Sequence, residues 1–141
     1  WSSDVCSSDL RLFSMIITTD YVENALYSIK NEGVITESQV ELLRQNVSKV
    51  LENQPFSDWF SGSWTVKTES EILTKGAAIY RPDRIMIRDN QAIVVDYKFG
   101  EQLPKHQKQV QNYMQLIKGM NYADVKGYIW YVDNGALVEV E

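Results

Sequence analysis

The spacing of apolar residues changes at Trp64, and this change constrains the fold more than any other feature of the chain. Upstream of Trp64, apolar residues recur three and four positions apart, which is the period of an amphipathic helix. Downstream, stretches of alternating apolar and polar residues have the period of a half-buried strand. A chain that carries both periods is expected to pack helices against a sheet, in an α/β architecture.

Two helices are predicted upstream of Trp64. The first spans residues 20–31 and is followed by the cap residue Gly33, because glycine readily takes the left-handed conformation that ends a helix. The second follows Thr36, which forms a capping box with Gln39, and it continues to about residue 53. An aromatic-rich connector leads from there to Trp64.

The remaining elements are strands, interrupted by one helix. They are three strands at roughly 64–73, 78–88 and 92–99, a helix from Pro104 to Gly119, and two strands at about 125–132 and 136–140. The resulting order, ααβββαββ, predicts an α/β fold with a mixed central sheet flanked by helices.

The chain of 141 residues is long enough for one domain with one hydrophobic core. Residues 1–10, which include Cys6, lack any periodicity and are interpreted as a non-native artefact. Residues 11–63 are interpreted as an N-terminal helical part with its connector, and residues 64–141 as the core. The whole is interpreted as a piece of a longer protein.

Features that the sequence lacks exclude several classes of site. It has no run of about 18 apolar residues and no signal-peptide pattern, which predicts a cytoplasmic protein without a membrane partner. One Cys and one His cannot form a zinc site of Cys and His ligands, so a metal ion would need oxygen ligands. No glycine-rich phosphate loop is present, and no ATP site is expected.

Charge is unevenly distributed along the chain. The net charge is −5, yet residues 75–126 carry 9 Lys and Arg against 5 Asp and Glu. This basic block is compatible with a partner that is rich in phosphate, such as DNA, although solvated basic faces are common.

Two carboxylates are predicted to face each other across a hairpin between residues 78 and 99. Its turn is centred on Asp89 and Asn90, which tolerate the backbone of tight turns. In that register Asp83 lies opposite Asp96. Because like charges on paired strands repel, either one carboxylate is protonated or a cation binds between them, for which Mg²⁺ is the natural choice and Mn²⁺ is possible.

Lys98 lies two residues beyond Asp96, so a strand directs both side chains to the same face. The continuous apolar run that precedes them is typical of a strand buried on both faces, where charged residues are unfavourable unless they are functional. Tyr97 would supply its backbone carbonyl near the same place. Glu69 or Glu71, on the preceding strand, could complete the site.

These residues resemble the signature of the PD-(D/E)XK nuclease superfamily. The sequence PD at 82–83 and the sequence DYK at 96–98 have a spacing similar to that of its RecB/AddA-like branch. Gln109 and Tyr113 match a helix that follows in that branch, and Glu69 matches its first acidic residue. The resemblance extends to the C-terminal nuclease segment of UvrD-type helicase-nucleases.

The resemblance implies a Mg²⁺-dependent deoxyribonuclease. Asp83, Asp96 and Glu69 would bind the metal ion, with Lys98 as a further catalytic residue. The branch also has an upstream His ligand, whose position falls near Leu10, so that ligand is expected to be replaced or missing here.

Five residues are predicted to contact DNA: Gln109, Tyr113, Arg81, Arg84 and Lys105. Tyr113 also fits the apolar stripe of its helix, and His106 is expected to be exposed or to touch phosphate rather than to bind metal. The implied partners are single-stranded DNA ends and an attached helicase, in an exonuclease of double-strand break repair. A stand-alone nuclease of the superfamily, and a non-catalytic module that binds DNA or scaffolds a helicase, are the alternatives.

Overall fold

The computed structural model describes residues 12–33, 35–68, 73–75, 78–80 and 82–141, with the backbone alone at residues 68, 73–75 and 78–80. The predictions for Leu10, Glu69, Glu71 and Arg81 lie outside these residues. The chain divides into two compact units, one up to Trp64 and one from Thr65 onward. Within the described ranges, no helix combines the length and apolarity needed to cross a membrane.

The first unit is helical. After a helical turn at residues 12–15 and a 3₁₀ turn at Thr19–Tyr21, it contains α1 (Val22–Asn31), α2 (Glu37–Leu51) and the single turn α3 (Phe56–Trp59). The two predicted helices are therefore confirmed, although α2 ends two residues early and the aromatic connector contains α3.

The predicted ends of these helices are confirmed in detail. Gly33 follows α1 with a φ of 75°, which is the left-handed conformation of a helix cap. At the start of α2, the Gln39 amide N–H donates to Thr36 Oγ1 at 3.3 Å, and the Thr36 amide N–H donates to Gln39 Oε1 at 2.8 Å. Both groups of the capping box are thus satisfied.

The second unit contains seven strands and one helix within the described residues. They are β1 (Thr65–Thr68), β2 (Leu73–Lys75), β3 (Ala78–Tyr80), β4 (Arg84–Arg88), β5 (Gln91–Lys98), α4 (Pro104–Lys118), β6 (Asp124–Tyr131) and β7 (Ala136–Val140). Five strands form a sheet in the order β1-β4-β5-β6-β7, in which β5 and β6 are parallel and the other neighbours antiparallel. The α/β class and the mixed central sheet are confirmed.

The predicted strand at 78–88 is divided in the structure. Its first part, β3, pairs with β2 in a separate two-stranded sheet, whereas its second part, β4, belongs to the central sheet. The division falls around Pro82, a residue that has no N–H to donate to a ladder. The order of elements is otherwise as expected, with the helical turn α3 and two further strands before the last helix.

Helix α4 crosses from β5 to the parallel strand β6 and packs on one face of the sheet. Its residues Tyr113 and Ile117 are buried with Ile85 and Val94 from the central strands. Its residue Met114 packs in a second cluster, which includes residues of β6 and β7. A parallel pair needs such a crossover, and the helix covers the face from which the candidate site is built.

Candidate active site

Alternation along β5 sorts its side chains between the two faces of the sheet. Ala92 and Val94 pack toward α4, and Asp96 and Lys98 continue on that face. Tyr97 lies on the opposite face, where its ring contacts Trp130 at a centroid distance of 5.5 Å. Only the backbone of Tyr97 therefore remains available to a site on the α4 face.

The predicted hairpin register is confirmed, with a difference at its open end. Arg88 pairs with Gln91 and Arg84 with Val95, as the turn at Asp89 requires. The ladder ends there, so Asp83 is not paired with a residue of β5. Instead, its Oδ2 accepts a hydrogen bond of 2.8 Å from the Tyr97 amide N–H, which ties Asp83 to the strand that carries Asp96.

The surroundings of the Asp83 carboxyl group have opposing effects on its pKa. Burial and the hydrogen bond and charge of Asp96 raise its pKa to about 8, against the opposing effects of the Tyr97 amide and the Lys98 ammonium. Near neutral pH, and without a cation, Asp83 therefore retains a proton in much of the population. This was one of the two resolutions expected for opposed carboxylates.

Asp96 is the most deeply buried acidic residue among those described, with 3% of its surface exposed. Its Oδ2 lies 3.0 Å from Lys98 Nζ, an ion-pair distance, but the ammonium is not aligned for a hydrogen bond to it. The protonated Asp83 carboxyl is a further neighbour, which makes a hydrogen bond with the Asp96 carboxyl group. A buried, under-coordinated carboxylate oxygen beside a second carboxyl group is the kind of donor set that a hard divalent cation binds.

The described residues supply two carboxylates to this site. They contain no group of three or more His, Cys, Asp and Glu side chains arranged to hold a metal ion. A third ligand would have to come from elsewhere, and Glu69, predicted for that role, lies outside the described part of the chain.

Helix α4 brings one further residue to the same face, and sequence reasoning misplaced it. His106 was expected at an exposed helix start, but only 8% of its surface is exposed. Its Nδ1 lies 2.9 Å from the hydroxyl of Tyr131, and burial, Lys98 and Lys105 lower its pKa, while Asp96 opposes this effect. The apolar stripe was the missed signal, because His106 precedes Val110 by one helical turn.

The structure describes four of the five residues predicted to contact DNA, and these four differ in how accessible they are. Tyr113 is buried in the core, and its hydroxyl accepts a hydrogen bond of 2.9 Å from Gln109 Nε2. Arg84 is 1% exposed and, being adjacent in sequence to Ile85, faces away from α4, where it lies near the Tyr97 ring. Lys105 is exposed in the first turn of α4. Gln109 and Lys105 thus remain the accessible members of this set among the described residues.

Neither a protein-family description nor a curated protein sequence matches the chain. Among solved structures, it is similar to an XisH family protein from Nostoc punctiforme PCC 73102, with 13% identity and a TM-score of 0.39, over 69% of this chain and 97% of that one. It is also similar to the protein SSO0001, with 20% identity and a TM-score of 0.38, over 96% of this chain and 66% of that one. These TM-scores are too low to bear on function.

Proposed function

We propose that the protein hydrolyses phosphodiester bonds of DNA with the help of Mg²⁺ or Mn²⁺. The observation that carries the proposal is the Asp83–Asp96 pair, buried at Asp96 and half-buried at Asp83, with the Lys98 ammonium 3.0 Å from Asp96 Oδ2. Withdrawing two acidic groups and one cationic group largely from water is costly, which supports a role in chemistry rather than in stability.

Each residue of the site has a distinct part in this proposal. Asp83 and Asp96 would hold the divalent cation, and Asp83 would release its proton as the cation binds. When bound, the cation would polarise the phosphodiester and lower the pKa of an attacking water. Lys98, whose side chain is 24% exposed, would donate to a phosphate oxygen and stabilise the charge that develops there.

DNA is favoured as the substrate by the basic block and by the resemblance to the PD-(D/E)XK signature. Lys105 and Gln109, the accessible members of the predicted set on α4, would contact the phosphate backbone of the strand. Exonucleolytic action on single-stranded ends, next to an attached helicase, extends this proposal along the same resemblance.

The experiment is a cleavage assay on labelled single-stranded DNA with Mg²⁺ titrated from the micromolar to the millimolar range. We expect cleavage that EDTA abolishes and that Asp96→Asn reduces by about 100-fold or more. Lys98→Met should cause a comparable loss in kcat. The matched controls are Asp124→Asn and Lys49→Met, which remove the same groups from residues that are not part of the candidate site, and they should retain activity.

Two outcomes would count against the proposal. Cleavage that survives Asp96→Asn would mean that another site or a contaminant does the work. DNA binding without any cleavage by the parent protein, at any Mg²⁺ or Mn²⁺ concentration, would favour the non-catalytic module that binds DNA.

A further inference from the structure

A buried hydrogen-bonded pair lies on the α4 face of the sheet, at the end where Lys98 is found. The pair consists of His106 in the first turn of α4 and Tyr131 at the end of β6, with 2.9 Å between Nδ1 and the hydroxyl and 5.7 Å between ring centroids. Both residues are buried, at 8% and 1% exposure. Neither residue is among those proposed to bind the metal ion or the DNA.

The sheet register places the pair against Lys98. Lys98 and Tyr131 are directly opposite each other on the parallel strands β5 and β6, so their side chains are neighbours on one face. The backbone is fixed at the same point, because the Val132 amide N–H donates to the Lys98 carbonyl oxygen at 3.0 Å. Tyr131 is therefore the β6 residue that the register sets beside Lys98.

The charges of the candidate site act on the His106 ring. Both Lys98 and Asp96 act electrostatically on its ring, in opposite directions. The Tyr131 hydroxyl connects β6 to α4 through His106, and this contact restricts rotation of the Tyr131 ring. A fixed ring already excludes some conformations of the long, flexible lysine side chain beside it. Holding the ammonium in one place therefore costs less conformational entropy than it would without the ring.

From this arrangement we infer that His106 and Tyr131 are positioning residues, which hold the Lys98 ammonium beside Asp96. The inference rests on the proposed function, since it assigns the pair a role in that same site. His106 acts through Nδ1 and Tyr131, not by touching the substrate. Misplacement of a catalytic group by about 1 Å can lower a rate by about 100-fold, so loss of the pair should affect turnover more than substrate binding.

Two substitutions of His106 separate this role from direct contact with substrate. The side-chain amide of His106→Asn occupies the position of Nδ1 and can still bond to Tyr131, whereas that of His106→Gln occupies the position of Nε2. We expect His106→Asn to retain kcat within about threefold. His106→Gln and Tyr131→Phe should each lower kcat by about tenfold, with KM within about twofold.

The double variant His106→Gln/Tyr131→Phe tests whether the two residues act as one unit. We expect its loss of kcat to equal that of either single variant, because each one already breaks the same bond. Melting temperatures, measured for every variant, ensure that the assays are run on folded protein. Equal losses in His106→Asn and His106→Gln, a fully active Tyr131→Phe, or multiplying losses in the double variant would overturn the inference.

A measurement that does not depend on catalysis tests the inference separately from the proposed function. In protein with ¹⁵N-labelled lysine, the Lys98 ammonium signal, assigned by its loss in Lys98→Arg, should shift in Tyr131→Phe and His106→Gln but not in His106→Asn. The Lys49 signal should be unchanged in all three. If the parent protein fails to cleave DNA, the proposed function falls, while an unshifted Lys98 signal would refute the positioning role independently.

Discussion

Among single residues, Asp83 shows how surroundings determine the chemistry of a side chain. The hydrogen bond that Asp83 accepts from the Tyr97 amide N–H favours the ionised carboxylate. Burial and the neighbouring Asp96 oppose ionisation more strongly, and the result is a pKa raised to about 8. The same environment that disfavours a second negative charge is the one in which a divalent cation is most strongly bound, because the cation removes the repulsion.

The metal-free protein is expected to lose stability as pH rises from about 4 to about 8. The pKa of Asp83 is about 8 when folded and about 4 when unfolded, so the folded state holds the proton more tightly. This stabilisation is complete below about pH 4 and is lost as pH rises through about 8, with a slope of at most about 1.4 kcal/mol per pH unit. Urea unfolding in EDTA at several pH values measures it.

The control for this titration is Asp83→Asn. Its amide can donate to Asp96 as the protonated carboxyl does, but it cannot ionise, so the variant should show a flatter dependence over the same range. A parent protein whose pH dependence matches that of Asp83→Asn would contradict the raised pKa.

At the level of secondary-structure elements, the close packing of α4 on β6 depends on Gly127. A Cβ atom at this position would lie 2.5 Å from Met114 Sδ and 2.7 Å from Val110 Cγ1, both on α4. A glycine within a strand often marks such a close approach of a neighbouring element. The contact holds α4, and with it His106, against the sheet.

Gly127→Ala is therefore expected to destabilise the protein by about 1–3 kcal/mol, since Met114 can move aside but the branched Val110 cannot do so freely. Chemical denaturation gives the change in the free energy of unfolding. In a Val110→Ala background the same substitution should cost less, because the closest fixed atom has been removed. Additive effects of the two substitutions would argue against this packing.

The capping box of α2 provides a test in the helical unit. Thr36→Ala removes the side chain that accepts the Gln39 amide N–H, and we expect a loss of about 1 kcal/mol in the free energy of unfolding. Ser38→Ala, which removes an exposed hydroxyl from the same turn, serves as the control and should be near neutral. Equal effects of the two substitutions would show that the cap contributes nothing specific.

For the molecule as a whole, charge distribution matters more than net charge. The chain carries −5 in total, but the segment that contains the candidate site and α4 has an excess of basic residues. Electrostatic attraction of DNA acts over about 10 Å at 0.1 M salt, so a local basic surface can bind phosphate despite a net negative charge.

Binding of single-stranded DNA is expected to weaken with salt, with a slope of about −2 in a plot of log affinity against log salt concentration, which corresponds to about three phosphate contacts. Fluorescence anisotropy with the Asp96→Asn variant measures this without cleavage. Lys105→Glu should lower both the affinity and the slope, whereas Lys49→Glu, in the helical unit, should change neither. Affinity that is independent of salt would contradict a phosphate-binding role.

Local features could be predicted from the sequence because their causes lie within a few residues. The period of apolar residues predicted the two helices before Trp64, Thr36 and Gln39 predicted the capping box, and the turn at Asp89 predicted the pairing of β4 with β5. That register also led to Asp83, Asp96 and Lys98 as one candidate site. The prediction of one continuous strand at 78–88 was wrong. The segment has a strand-like composition, but Pro82 cannot donate a hydrogen bond to a ladder, and the strand is interrupted around it.

The tertiary structure alone decided which distant residues meet. Parallel pairing of β5 with β6 places Tyr131 beside Lys98, and α4 then adds His106 to the same face. Pairing across a crossover depends on how the helix packs on the sheet, which no short window of sequence contains. The burial of Arg84, which was predicted to contact DNA, could not be predicted for the same reason. It depends on the face of the sheet on which Arg84 lies.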